Sequence, residues 1–139
     1  MKREIKFRGK RIDNGEWAYG SLIITNKINL YEIYCRYDKI FKVIPETVGQ
    51  FAGLPFNIFE NDIIQSRLHP TAIYVVIWNE INCCFSAFHI SQYNQMNKED
   101  DLFRLNMLCN KTSISPNWLS EYQFEPIGNI YDNSELLKA

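Results

Sequence analysis

The sequence predicts a mainly β protein, all-β or α+β, whose short antiparallel strands curl into one or two small open, SH3-like barrels, with one or two short helices in the C-terminal half. Three observations predict it. Apolar and polar residues alternate with period two at the start of the chain, beside an Asn-Gly turn. Short runs rich in Ile, Val, Tyr and Phe then recur, each stopped by Gly, Pro or Asn. Helical spacing is confined to one stretch near residue 100 and to a Ser-Pro start signal downstream.

Taken in order, Ile5 and Phe7 alternate with Lys6 and Arg8, and Asp13-Asn14-Gly15 tolerates the positive φ of a tight hairpin turn. Glu16–Ile23 reads as the return strand, so residues 3–24 form a β-hairpin. Asn29–Tyr37 and Ile40–Ile44 read as two more strands, closed by Pro45, which has no N–H for a ladder. Thr47–Pro55, with two glycines and a proline, reads as a connector. Ile58–Ile64 places apolar pairs around the turn-favouring Glu60-Asn61-Asp62. Ile73–Trp78 is a continuous apolar strand, Asn79–Asn82 a turn, and Cys83–Ile90 the returning strand, so Ile58–Ile90 has the rhythm of an SH3-like barrel. A helix is predicted over about Lys98–Cys109, with Asn97 as its cap and Asp100 near its positive end. Leu102, Leu105 and Cys109 form its apolar face, with Phe103 and Met107 beside it. Ser115-Pro116 starts a short helical turn through Tyr122, Phe124–Tyr131 is a last strand, and Ser134–Leu137 a terminal helical turn.

The length of 139 residues suits one domain, 1–139, with subdomains of about 1–55 and 56–139 as the finer division. A hydrophobic share of 46% with 14% aromatics excludes intrinsic disorder. The longest apolar run, Ala72–Trp78, is far below the roughly 20 residues of a spanning helix, and the basic start leads into more charge rather than a signal-peptide core. A soluble cytoplasmic protein with no membrane association is therefore expected. Cys35, Cys83, Cys84 and Cys109 lack C-x-x-C spacing, and Cys83 and Cys84 would point to opposite faces of a strand. Buried, reduced thiols are expected in place of a zinc site, and neither metal nor cofactor is implied.

Enzyme motifs are missing: there is no G-x-x-x-x-G-K-[ST], G-x-S-x-G or H-E-x-x-H, and His69 and His89 are the two histidines. The expectation is a protein that is not an enzyme. Glu60 and Asp62 could share a metal with Glu80, but Asp62 satisfying turn amides is the preferred reading. The basic start is more informative. Residues 2–11 hold six cations against Glu4, a net +5, so within a total of −1 the rest of the chain carries −6. That total excludes a globally basic nucleic-acid binder. Period two puts Lys2, Lys6, Arg8 and Lys10 on one face. Lys6, Arg8, Lys10, Arg11, Trp17 and Tyr19 are the candidate binding residues, since such a stripe suits phosphates and such aromatics stack on bases. Three readings stay open, in this order: an edge strand protected by charge, a nucleic-acid interface, and a surface pairing with an acidic protein. Phe7, Trp17, Tyr19 and Trp78 are expected to be mostly buried.

Lys6-Phe7-Arg8-Gly9-Lys10-Arg11, Gly15-Glu16-Trp17 and Tyr19-Gly20 resemble the opening of the YopX family of phage and prophage proteins. Three later blocks follow in order: Ile44–Phe51 with Gly53-Leu54; Val76-Ile77-Trp78; and Ile127–Tyr131 through Glu135-Leu136-Leu137. The chain departs from the family at Pro55-Phe56-Asn57, a short and partly apolar tip, and at Glu60-Asn61-Asp62, where the family reads Glu-Gly-Asp. Asn readily takes the left-handed conformation, so that turn should survive. The resemblance implies a β-rich fold, a mobile-element origin and self-association, and brings no catalytic residues. The expected function is that of a phage- or prophage-encoded accessory protein acting through protein–protein contact and self-assembly, as a homo-oligomer or with a phage or host protein. The alternative is a weak nucleic-acid-binding module using the basic N-terminal hairpin.

Overall fold

A computed structural model of the chain describes residues 4–36, 39–53 and 57–138. Lys2 and Arg3 of the stripe, Tyr37 at the end of a predicted strand, and Leu54-Pro55-Phe56 lie outside the described residues. The fold is mainly β, as the alternation demands: among the described residues there are two antiparallel sheets, of five and four strands, with three short α-helices in the C-terminal half. Neither sheet is a closed barrel. The chain divides into two compact units, Met1–Gly53 and Leu54–Ala139.

In the first unit, β1 (Phe7–Lys10), β2 (Trp17–Thr25), β3 (Leu30–Tyr34), β4 (Ile40–Lys42) and β5 (Gly49–Gln50) lie in the order β4-β3-β2-β1-β5. The hairpin forms as read, with Lys10 opposite Trp17 and Phe7 opposite Gly20. Its loop is closed by Arg11 N–H donating to the Glu16 carbonyl at 2.8 Å, with Gly15 at φ +73°. The connector after Pro45 contributes a strand of its own. Phe7 pairs with Gln50 and Arg8 with Gly49, so β1 is an interior strand. This corrects the edge-strand reading of the basic stripe. The 3-10 turn Pro45–Thr47 returns the chain alongside β1, fixed by Lys10 N–H on Thr47 Oγ1 at 2.9 Å and Phe51 N–H on the Lys6 carbonyl at 2.8 Å.

A bridge between Arg11 and Val43 curls this sheet without closing it. Ile12 N–H donates to the Lys42 carbonyl at 3.0 Å and Ile44 N–H to the Lys10 carbonyl at 2.8 Å. The approach requires Gly9, because a Cβ there would sit 2.9 Å from the Val43 Cβ. The concave side buries Ala18, Ile33 and Val43, with Phe7, Leu22, Tyr31, Phe41 and Val48 packed against them.

In the second unit, β6 (Asp62–Ser66), β7 (Ile73–Asn79), β8 (Cys84–His89) and β9 (Phe124–Asn129) lie in the order β8-β7-β6-β9. One face carries Ile63, Val75, Ile77 and Phe88, which pack with Ile90, Met96 and Leu108 from the helices α1 (Ile90–Lys98) and α2 (Asp101–Cys109). The third helix, α3 (Pro116–Glu121), starts as predicted, the Ser115 hydroxyl accepting from Asn117 N–H at 3.2 Å. Among the described residues no helix is long and apolar enough to cross a membrane.

Four local expectations are corrected here. The single helix from Lys98 is two helices, and Asp100 caps the second, its carboxylate accepting from Phe103 N–H at 2.9 Å, while Asn97 lies inside α1. α1 begins where a strand was expected to end, because His89 Nδ1 accepts from Ser91 N–H at 3.2 Å and Gln92 reaches back to His89 N–H at 3.3 Å. α2 buries Leu108 with Phe103 and Met107 beside it, leaving Leu102 67% exposed. Its sequence carries two apolar stripes at helical spacing, and only the neighbouring sheet selects between them. The cysteines are unpaired but not buried: Cys83 and Cys109 are exposed, and Cys83 sits in the turn at φ +50° rather than in a strand.

Candidate functional site

Strand alternation decides which candidate residues meet. Lys6, Arg8 and Lys10 project to one side of β1, and the register sets Tyr19 opposite Arg8 and Trp17 opposite Lys10 on that same side. Each cation lies over a ring. The Arg8 guanidinium carbon is 4.6 Å and the Lys10 Nζ 5.6 Å from the Trp17 ring centre, and the Lys6 Nζ is 4.5 Å from that of Phe51. Rings attract cations through their negative faces, most strongly where water is excluded. Arg8 is only 5% exposed, so it is a packed part of this face.

Arg11 falls off this face. Its guanidinium carbon lies 3.8 Å from the centre of the Phe41 ring, and it grips Asp13 with Nε at 2.9 Å and Nη2 at 2.6 Å. The bidentate bond holds the Asp13 carboxyl below the usual carboxylate range and raises the Arg11 guanidinium. The structure thus brings five of the six candidate residues together and sets the sixth at the hairpin tip.

The rest of the face mixes the polar Ser21, Glu32 and Lys42 with exposed apolar groups, and the sequence reading missed the apolar set. Tyr34 pairs with Ser21 on one side and Ile40 on the other, and Tyr19 and Ile23 lie two residues either side of Ser21. Tyr19 is 46%, Ile40 49% and Ile23 42% exposed, with Tyr34 close behind. Tyr19 therefore corrects the expectation of a buried ring, as does Trp78, which lies on the second sheet with its ring 5.1 Å from Phe85. The signal for Tyr34 and Ile40 was their period-two position, readable only once the β3–β4 register is known. A cavity of about 460 Å³ beside them is lined by Lys6, Tyr19, Tyr34 and Arg36, among others, at the lower end of ligand-sized clefts.

The carboxylates in the second unit perform a different task. Asp62 accepts from Phe59 N–H at 2.8 Å and returns its own N–H to the Phe59 carbonyl at 3.1 Å. Between them Asn61 takes φ +70°, the left-handed position expected of it. Among the described residues no three His, Cys, Asp or Glu side chains gather as a metal-holding group. His89 is engaged at both ring nitrogens, Nδ1 at the cap of α1 and Nε2 on the Thr71 carbonyl at 3.1 Å. Because that carbonyl can only accept, Nε2 carries the proton.

Two open antiparallel sheets, one presenting a cation-and-aromatic outer face, define the class: a β-rich protein whose distinctive surface is a sheet face. The chain belongs to the YopX family, whose profile, described as YopX protein, matches residues 6–138. No curated protein matches it significantly.

Proposed function

We propose that this YopX-family chain is a non-enzymatic accessory protein of a phage or prophage, working in the host cytoplasm through protein–protein contact and self-assembly, with the outer face of the first sheet as its contact surface. The observation that carries this reading is the exposed set Tyr19, Ile23, Tyr34 and Ile40, contiguous across β2, β3 and β4. Contiguous exposed apolar groups of this kind mark interaction surfaces. Charge favours a second copy as the occupant. Residues 1–53 hold ten cations against six acids, and residues 54–139 five cations against ten acids, so the first unit of one copy complements the second unit of another in charge.

Nucleic-acid binding gains no such support, because the cations of the stripe lie over rings and Arg8 is buried. Gel filtration with light scattering tests the proposal on the wild type and on a Tyr19→Ser, Tyr34→Ser, Ile40→Ser variant. Assembly in the wild type, weakened by salt and lost in the variant, is the expected result. A wild-type monomer at micromolar concentration, or a variant that assembles normally, overturns it. Salt-sensitive binding of a labelled duplex would favour the nucleic-acid alternative.

A further inference from the structure

A second candidate site lies in the other unit and owes nothing to the sheet face above. The side of the four-stranded sheet away from α1 and α2 carries Tyr74, whose ring meets the Trp118 ring edge-on at 5.2 Å; Trp118 in turn lies 4.3 Å from Phe124. Beside this aromatic wall is a cavity of about 430 Å³, lined by Tyr74, Ala87, Lys111, Ser113, Ser115 and Trp118 among others. That volume falls in the range of small-molecule and peptide sites.

Its floor is the edge of β8. Ile114 N–H donates to the Phe85 carbonyl at 2.9 Å, which shows that Phe85 turns its main-chain groups outward from the sheet. Ala87, two residues on, turns its N–H and C=O the same way by strand alternation, into the cavity beyond the point where the 112–115 segment stops pairing. An outward pair of this kind is a docking point for one residue of an extended peptide. Among the described residues the lining holds one charged side chain, Lys111, and no carboxylate. The Lys111 ammonium lies 5.0 Å from the centre of the Phe88 ring, on the helix-packed face, so Lys111 borders the cleft from the side opposite the aromatic wall. Ser113 and Ser115 add hydroxyls.

We infer that this cleft binds the C-terminal residue of an extended partner peptide. Main-chain groups of the peptide pair with Ala87, an apolar terminal side chain packs against Tyr74 and Trp118, and the terminal carboxylate meets Lys111 and the Ser113 hydroxyl. The three features select together: an edge needs a strand, an aromatic wall needs an apolar group, and a lone cation needs an anion.

The test uses the full-length ¹⁵N-labelled chain, titrated with N-acetyl hexapeptides ending in Val, Leu or Phe with a free carboxylate, and with their amidated twins. The expected result is saturable shifts at the Ala87 and Ser113 amides and the Trp118 indole N–H, with a Kd on the order of 10–100 μM for at least one acid peptide. Amidation, or Lys111→Gln in the protein, should weaken binding about tenfold, while resonances away from the cleft keep their positions. The inference is overturned by any of three results: no saturable shift at millimolar peptide, equal binding of acid and amide, or a Lys111→Gln variant that still prefers the acid.

Discussion

Arg11 is held from three directions: by both oxygens of Asp13, by Glu16 at 3.9 Å, and by the Phe41 ring beneath it. The Asp13 carboxyl is consequently favoured in its charged form and titrates below the ordinary carboxylate value. A lowered folded-state value means the pair contributes its small surface stabilisation at neutral pH and loses it only as the pH falls through that lowered value. Carbon-detected NMR titration should place the Asp13 midpoint below the ordinary aspartate value, and Arg11→Gln should move it up towards that value. Trp78 is 41% exposed against Phe85, so Trp78→Ala should cost about 1–2 kcal/mol rather than the larger loss of a fully buried ring, read by urea denaturation. Asn61 was legible in the sequence because its turn conformation is a local preference. The exposure of Tyr19 and Trp78 was not, because an aromatic in a strand has the same local preference on either side of a sheet.

Among the elements, α2 is capped by Asp100, three residues after the Asn97 that the sequence offered as the cap. Asp100→Ala should destabilise the protein by about 1 kcal/mol, whereas Asn97→Ala, changing an exposed interior position of α1, should stay within about 0.5 kcal/mol, both read by thermal denaturation. The curl of the first sheet makes a second comparison. Gly9→Ala pushes a methyl group against Val43 and should cost about 1–3 kcal/mol by chemical denaturation. The Ser-Pro start of α3 and the terminal 3-10 turn Ser134–Leu137 were legible because their signals lie within a few residues. β5 was not, since two residues after Val48 acquire strand geometry only by pairing with Phe7 and Arg8. α1 was obscured because its cap is a histidine and its buried residues, Ile90 and Met96, are few among polar neighbours.

For the whole molecule, the division after Gly53 sets an expectation for fragments. Residues 54–139 should show a cooperative thermal melt by circular dichroism when expressed alone. Residues 1–53 should melt broadly at lower temperature, because a unit of this size buries only about 60% of its unfolded surface and is marginal on its own. The Gly- and Pro-bearing connector before residue 56 is a local signal, whereas the two faces of each sheet needed the register. The interior position of β1 also has a consequence in time. A strand whose hairpin partner follows directly finds that neighbour within moments, as β1 does in β2. Its second neighbour, Gln50, comes off the ribosome some forty residues after Lys10, roughly 2–8 s later at ordinary elongation rates. Through that interval one side of the N-terminal strand has no partner from its own chain. The charge on Lys6, Arg8 and Lys10 then discourages pairing with the wrong one, before the same cations settle over their rings.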